Sequence, residues 1–236
     1  MSPRVPLFVI ASLTVLGPAA SMATANGDFC SSAVFRRTFP EGLESMDYAY
    51  VSPELLKFGD AVLPCCDHVL KTGGGDLGIP LCQESPHQCR VWAVRVFDAL
   101  ATPAAMERLS GVLKTQMEPR VLIAAIVAFG NRRESAVRPD LLRLLKHEHM
   151  SVRAHAVHVL GVIGDRSDFE PMLEATLSLS EVYQWRGAKG LEILGDPRAI
   201  EPLRKLAGST TNPTHRRGLE KNIRRLEAQS AGTQAR

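Results

Sequence analysis

Four histidines, His147, His149, His155 and His158, stand close together in "HEHMSVRAHAVHVLGVIGD", residues 147–165. Such a cluster points either to a metal site or to a repeated element that carries imidazoles for another purpose. A structural zinc site takes four ligands at tight spacing, and no cysteine is near. A zinc-protease His-Glu-x-x-His motif would need histidine at 151, where Ser151 stands. His155 and His158 are one helical turn apart and share a helix face. His147 and His149 fall in a turn region. No Gly-x-Ser-x-Gly elbow and no phosphate loop occurs, so metal, cofactor and catalytic residues are assigned to none of these stretches.

The second chemical cluster is "PCCDHVLKTGGGDLGIPLCQESPHQC", residues 64–89, with Cys65, Cys66, Cys82, Cys89, His68 and His87. With Cys30 it contains every cysteine of the chain. These residues suit a metal or reactive-thiol site, or a disulfide framework in an oxidising compartment. Adjacent cysteines do not bridge each other readily, because one trans peptide separates Cα atoms by about 3.8 Å and a disulfide wants about 4.4–6.8 Å. Cys65 and Cys66 are therefore expected to reach different partners among Cys30, Cys82 and Cys89. Five is odd, so two bridges leave one thiol over.

The compartment follows from the first 25 residues, "MSPRVPLFVIASLTVLGPAASMATA". Arg4 precedes an apolar run from Leu7 to Leu16, Pro18 breaks it, and Ala23-Thr24-Ala25 fits a small-x-small cleavage site. The run is too short for a spanning helix, which needs about 20 residues. Residues 1–25 thus read as a signal peptide, with Asn26 first in the mature chain and no stable membrane insertion after cleavage. The expected location is secreted or periplasmic. Loss of Arg4 turns the 28 basic side chains into 27, against 25 acidic ones, which is no global case for nucleic acid.

Behind these clusters lies a repeat. "VLIAAIVAFG" (121–130), "VRAHAVHVLG" (152–161) and "RGAKGLEILG" (186–195) align, with a fainter copy, "WAVRVFDALA", at 92–101. Gly130, Gly161 and Gly195 close the three copies at spacings of 31 and 34 residues. A period in the low thirties marks a solenoid. Ile126, Val157 and Leu191, with Phe129, Leu160 and Leu194, lay apolar side chains on one face, beside small residues such as Ala125, Ala154 and Ala188. Each closing glycine is expected to end its helix in a left-handed cap. A second helix should follow, capped by Asp165 or Asp196 and, in the last copy, opened by Pro197. Its inner face would hold Phe169, Met172, Leu173 and Leu177, or Ile200, Leu203 and Leu206. In the aligned copies His155 corresponds to Ala124 and Lys189, and His158 to Val127 and Glu192. Both are variable positions towards the exposed side of the helix.

"VRAHAVHVLGVIGD" together with "LEILGDPRAIEPLRKLAG" resembles the HEAT repeat, in the short form named after phycobilisome lyases. The resemblance covers about residues 90–228. It implies an all-α solenoid of stacked helical hairpins, about four repeats, for the segment 90–228. It departs at the ends: 92–101 lacks the glycine, and 213–228 keeps only Ile223 and Leu226. Some HEAT-type proteins are di-iron hydroxylases with His-Glu pairs inside the repeat helix. Here the only such pair, His147-Glu148, lies outside it, and Ala154-His155 occupies the matching place. The bilin-lyase relatives act inside the cell, which an exported chain contradicts.

The expected organisation is therefore a signal peptide (1–25), a cysteine-containing and partly helical segment (26–89), the HEAT-like solenoid (90–228) and a disordered tail (229–236). Within 26–89, a helix from Pro53 capped by Ser52 and another from about Cys65 to Lys71, stopped at Gly73, are expected. The expected function is a non-enzymatic scaffold binding a protein or peptide. Its partner surface is expected on the second helices, at Glu170, Glu174, Arg198, Arg204 and Lys205, and on the basic terminal helix, at Arg216, Arg217, Lys221, Arg224 and Arg225. The alternatives are a metal- or thiol-dependent enzyme or sensor built on the front Cys/His cluster, or a lyase-like HEAT protein.

Overall fold

The computed structural model describes residues 29–37, 51–116 and 118–234. The leader and its cleavage site lie outside the described residues. Among the described residues the regular structure is entirely helical. The front segment holds α1 (Ala33–Arg37), α2 (Pro53–Leu56), α3 (Leu63–Thr72) and α4 (Pro80–Glu84). Ser52 Oγ accepts the Glu54 N–H at the start of α2, and Gly73 ends α3 at φ +87°. Both boundaries are as the sequence predicts.

Then come α5 (Pro86–Leu100), α6 (Pro103–Thr115), α7 (Pro119–Arg132), α8 (Arg138–Leu144), α9 (Met150–Ile163), α10 (Phe169–Leu177), α11 (Glu181–Leu194), α12 (Ile200–Ser209) and α13 (Pro213–Gln234). The odd-numbered members, α5 to α13, are the first helices of successive hairpins. They pack side by side in one continuous row, α5 on α7, α7 on α9, α9 on α11 and α11 on α13. The second helices, α6, α8, α10 and α12, rest chiefly against first helices rather than on each other. Ile126, Phe129, Val157, Leu160 and Leu191 form the buried spine of the row, continuous with Trp92 and Phe97 of α5. Helix α3 packs on α5 and joins the front segment to the same core.

The closing glycines behave differently from expectation. Of the three, only Gly195 is a left-handed cap, at φ +73°. Gly130 and Gly161 lie inside α7 and α9, which continue to Arg132 and Ile163. Arg133 takes the left-handed cap of α7 at φ +54°, and Gly164 ends α9 in an extended conformation. What Gly161 provides is proximity. A Cβ there would press into the carbonyl of Gly190 on α11, and a Cβ on Gly190 would press into the carbonyl of Val157. At Gly130 a Cβ would come within 2.7 Å of Val159 Cγ2. Gly161 and Gly190 mark where α9 crosses α11 at backbone contact, and Gly130 makes room for the Val159 side chain of α9.

The second-helix caps follow the sequence. Asp165 accepts the Ser167 N–H at 2.8 Å and Asp196 the Arg198 N–H at 3.0 Å. Each opens a short 3-10 turn that leads into α10 or α12. Phe169, Met172 and Leu203 are buried as expected. Leu177 is not: it sits on the outer side of α10, and Thr176 turns inward instead, its hydroxyl bonded to the Met172 carbonyl at 2.8 Å. The tail also differs. Helix α13 runs through 229 to Gln234, because no proline interrupts it and Ser230 bonds back to the Leu226 carbonyl at 2.9 Å.

Two disulfides staple the front, Cys30–Cys65 and Cys82–Cys89. The expectation that Cys66 would also find a partner is corrected. Cys66 is a buried free thiol, turned into the core formed by α3 and α5 while its neighbour faces Cys30.

Two stability experiments follow. Gly161→Ala should lower the unfolding free energy by about 1–3 kcal/mol through overpacking. Gly111→Ala, inside α6 with nothing within 4 Å of the new methyl, should raise it by about 0.5–1 kcal/mol. Urea titration of both variants measures the opposite signs; equal signs would contradict the close approach. Loop entropy makes the Cys30–Cys65 bridge, 35 residues apart, worth about 4 kcal/mol, and Cys82–Cys89, 7 apart, about 2 kcal/mol. Paired serine variants should therefore melt in that order. Native protein should show no alkylated thiol until it unfolds.

Candidate functional site: the solvent face of the first-helix row

Each first helix buries most of its circumference and leaves one stripe outward. On α9 that stripe is His155, His158 and Val162, set among residues that are almost all buried. On α7 it is Arg120, Ile123, Ala124, Val127 and Asn131, and on α5 His87, Val91, Arg95 and Asp98. On α11 the exposed side carries Val182, Trp185, Arg186 and Lys189.

Between α5 and α7 the stripes flank a cleft of about 360 Å³. Its floor is apolar: Val91, Val94, Ile123, Ala124, Val127 and Ala128. At one end Arg120 Nη1 donates to His87 Nε2 at 3.1 Å. At the other, Arg132 holds Asp98 at 2.6 Å. Arg95 lines the wall, and its Nε, shut off from water, has no hydrogen-bond partner among the described residues. A shallower depression continues past Arg120 to His149, Ser151 and Tyr183, at the N-terminal ends of α9 and α11.

The histidines belong to this face. His155 donates Nδ1–H to the Ser151 carbonyl at 2.7 Å, which leaves Nε2 as an acceptor. Burial, then the backbone bond in opposition, then the charges of Arg186 and His158, leave His155 below the ordinary imidazole range. Burial, with Arg186 and Lys189, does the same to His158 against the opposing Glu192. His147 and His149 form a turn instead, His149 N–H bonding His147 Nδ1 at 3.0 Å and Ser151 Oγ meeting His149 Nδ1 at 2.7 Å. Among the described residues no three His, Cys, Asp or Glu side chains gather to hold a metal ion.

The front cluster is dispersed as well. Four thiols are in disulfides. His68 bonds Asp76 at 2.7 Å, and His87 belongs to the cleft. Burial pushes the Cys66 thiol far above its ordinary range, with Asp67 adding to the shift and Arg108 opposing it. A nucleophilic thiolate requires the reverse.

Several of the second-helix and α13 residues expected to face a partner are paired within the solenoid while staying exposed. Arg198 lies over the Phe169 ring at 4.2 Å, and it binds Asp196 at 2.7 Å and Glu170 at 3.1 Å. Arg204 bridges Glu227 at 2.5 Å and Glu201 at 3.5 Å. Arg216 donates to the Thr210 carbonyl at 2.6 Å, Arg217 to that of Pro213 at 3.4 Å, and Arg225 stands 3.9 Å from Glu192. Glu174, Lys205, Lys221 and Arg224 remain outward. Among the described residues the exposed large hydrophobics Val127, Met150, Val182 and Trp185 are on first helices, and Leu177 is on a second helix. The positions 124/155/189 and 127/158/192, which vary between copies in the sequence, are on first helices; the expected partner residues are on the second helices and on α13.

Because the folded histidines hold protons more weakly than an unfolded chain, with its value near 6.5, the unfolded state gains protons first as pH falls. Stability from these two groups is fully present above pH 6.5 and declines below it. The melting temperature should drop between about pH 7 and about pH 5. The double variant His155→Gln/His158→Gln should show a flatter profile over that interval; an unchanged profile would contradict the burial of these rings.

Comparison with known families agrees with this geometry. Residues 106–181 match the model of HEAT repeats, and residues 183–209 match the PBS lyase HEAT-like repeat. No curated protein matches the chain. The matched span runs from α6 through α12, the hairpins that contain Gly130, Gly161 and Gly190, and over that span the chain is similar to HEAT repeats of the PBS-lyase type.

Proposed function

We propose that this chain is a non-catalytic, exported scaffold that binds a polypeptide along the solvent face of its first-helix row. The carrying observation is the placement of exposed apolar side chains on first helices, Val127 in the α5–α7 cleft and, further along the row, Val182 and Trp185 on α11. A HEAT array is a helical repeat scaffold, and such arrays present extended surfaces to partners. Contiguous apolar surface rimmed by polar groups is where proteins engage one another. The exported location is supported by the leader-like residues 1–25 and by two disulfides, which persist in oxidising compartments. No helix among the described residues is long and apolar enough to cross a membrane.

The test is site-specific photo-crosslinking in the producing cell. A benzoylphenylalanine in place of Val127 should give a defined protein adduct, and one in place of Glu174, exposed on α10, should not. Adducts at 174 alone, or none at 127, would overturn the reading. An intact mass beginning at Asn26 is the expected result for export; a mass that retains residues 1–25 would contradict it.

A further inference from the structure

The charges of the first-helix face are unbalanced in a specific way. Its carboxylates are already engaged: Asp98 by Arg132, Glu118 by Arg90 at 3.3 Å, and Glu192 by Lys189 and Arg225. Three of its guanidinium groups are not. Among the described residues no carboxylate lies within 4.0 Å of Arg95, Arg120 or Arg186. Arg120 meets only an imidazole, Arg186 lies over the Trp185 ring at 4.9 Å, and Arg95 keeps an enclosed Nε without an acceptor. Arg138, Arg198 and Arg204, at the second-helix side, are each held by a carboxylate.

A partly buried cation without a counter-charge is costly, and a planar guanidinium is best satisfied by a carboxylate. The cleft beside Arg95 and Arg120 adds an apolar floor with room for one aliphatic or aromatic side chain. Resting on the scaffold reading above, we infer that the partner is an acidic polypeptide segment. Its apolar anchor seats between Val91, Ile123 and Val127, and its carboxylates meet Arg95, Arg120 and, further along the row, Arg186. First helices spaced about 8–10 Å apart put Arg186 roughly 25 Å from the cleft, a span of about eight extended residues. Such a segment would pass His155 and His158, whose neutral rings offer it hydrogen bonds without repulsion.

The experiment measures fluorescence anisotropy with full-length mature protein and labelled peptides of about twelve residues, a length set by that span. One pool carries a leucine near one end and Asp and Glu elsewhere. A second replaces the acids by Lys, and a third replaces the leucine by Ser. The acidic leucine pool should bind, the other two at least roughly tenfold more weakly, and binding should weaken as salt rises. Arg120→Glu and Arg186→Glu, both at the surface and checked for unchanged melting, should each lower affinity roughly tenfold, as should Val127→Asp. Glu174→Arg, on the opposite row, should leave it unchanged. Equal binding of all three pools, binding of the acidic pool with or without leucine, insensitivity to both charge reversals, or no binding at all would each overturn the inference. A crosslink at Val127 to a basic or neutral partner would overturn it while leaving the scaffold reading intact.

Discussion

The structure depends on the backbone contact between α9 and α11. Gly161 and Gly190 face each other with no side chain between them, and a methyl on either would enter the other helix's main chain. Few sequences allow two helices to approach so closely, and the glycine pair carries a helix-propensity cost of about 1 kcal/mol per residue. The return is a dense row in which Ala154, Ala156 and Ala188 pack where larger residues would wedge the hairpins apart. Once that crossing is set, its neighbours follow: Val159 fills the space above Gly130 on α7, and Thr176 of α10 fits over Gly187 of α11. A tight first row leaves the second helices to fill the outer grooves between successive first helices, which is how they pack.

Register between hairpins is fixed by charge at the loops. Asp168 is almost fully buried, yet Arg138 of the preceding hairpin grips both its oxygens, at 2.8 and 2.7 Å, and the Asp165 N–H bonds it as well. Burying an ion pair offers little net stability, because desolvation offsets the attraction, but a misplaced buried carboxylate is strongly disfavoured. The arrangement therefore specifies position more than it adds stability. In the next hairpin Arg198, clamped by Asp196 and Glu170 over Phe169, has the same role. These contacts pair the second-helix charges Glu170, Arg198 and Arg204 with other side chains of the array.

Much of this was legible in the sequence, and the failures share a cause. The period, the apolar spine, the Asp165 and Asp196 caps and the odd cysteine are local or periodic features, and they can be read along a single chain. Gly130 and Gly161 differ from expectation because a glycine closing an apolar run looks the same whether it ends a helix or admits a neighbour; only the packing, Val159 over Gly130 and Gly190 against Gly161, distinguishes the two. Leu177 and Thr176 exchange roles because α10 meets α11 at Gly187, where a hydroxyl-bearing side chain fits and leucine has no place. Cys66 could not be sorted from Cys65 by spacing, since adjacent residues on a helix point about 100° apart and only the packing of α3 decides which faces Cys30. Charge on the second helices suggested a partner surface, but the sequence does not reveal that those charges satisfy one another.

The same packing logic bears on the proposed binding face. In a repeat array, positions that contact the next hairpin are constrained by that contact, and the outward stripe is not. At one aligned position the successive first helices carry Ala124, His155 and Lys189, and at the next Val127, His158 and the buried Glu192. The face thus changes from an apolar cleft, through two neutral imidazoles, to a cationic end, while the core beneath it repeats. An extended chain laid across the row would meet each character in turn at intervals of a few residues. Under the proposed reading, the apolar anchor has its own place, the floor between Val91, Ile123 and Val127, so a ligand is sorted by where its apolar group falls along the row as well as by composition.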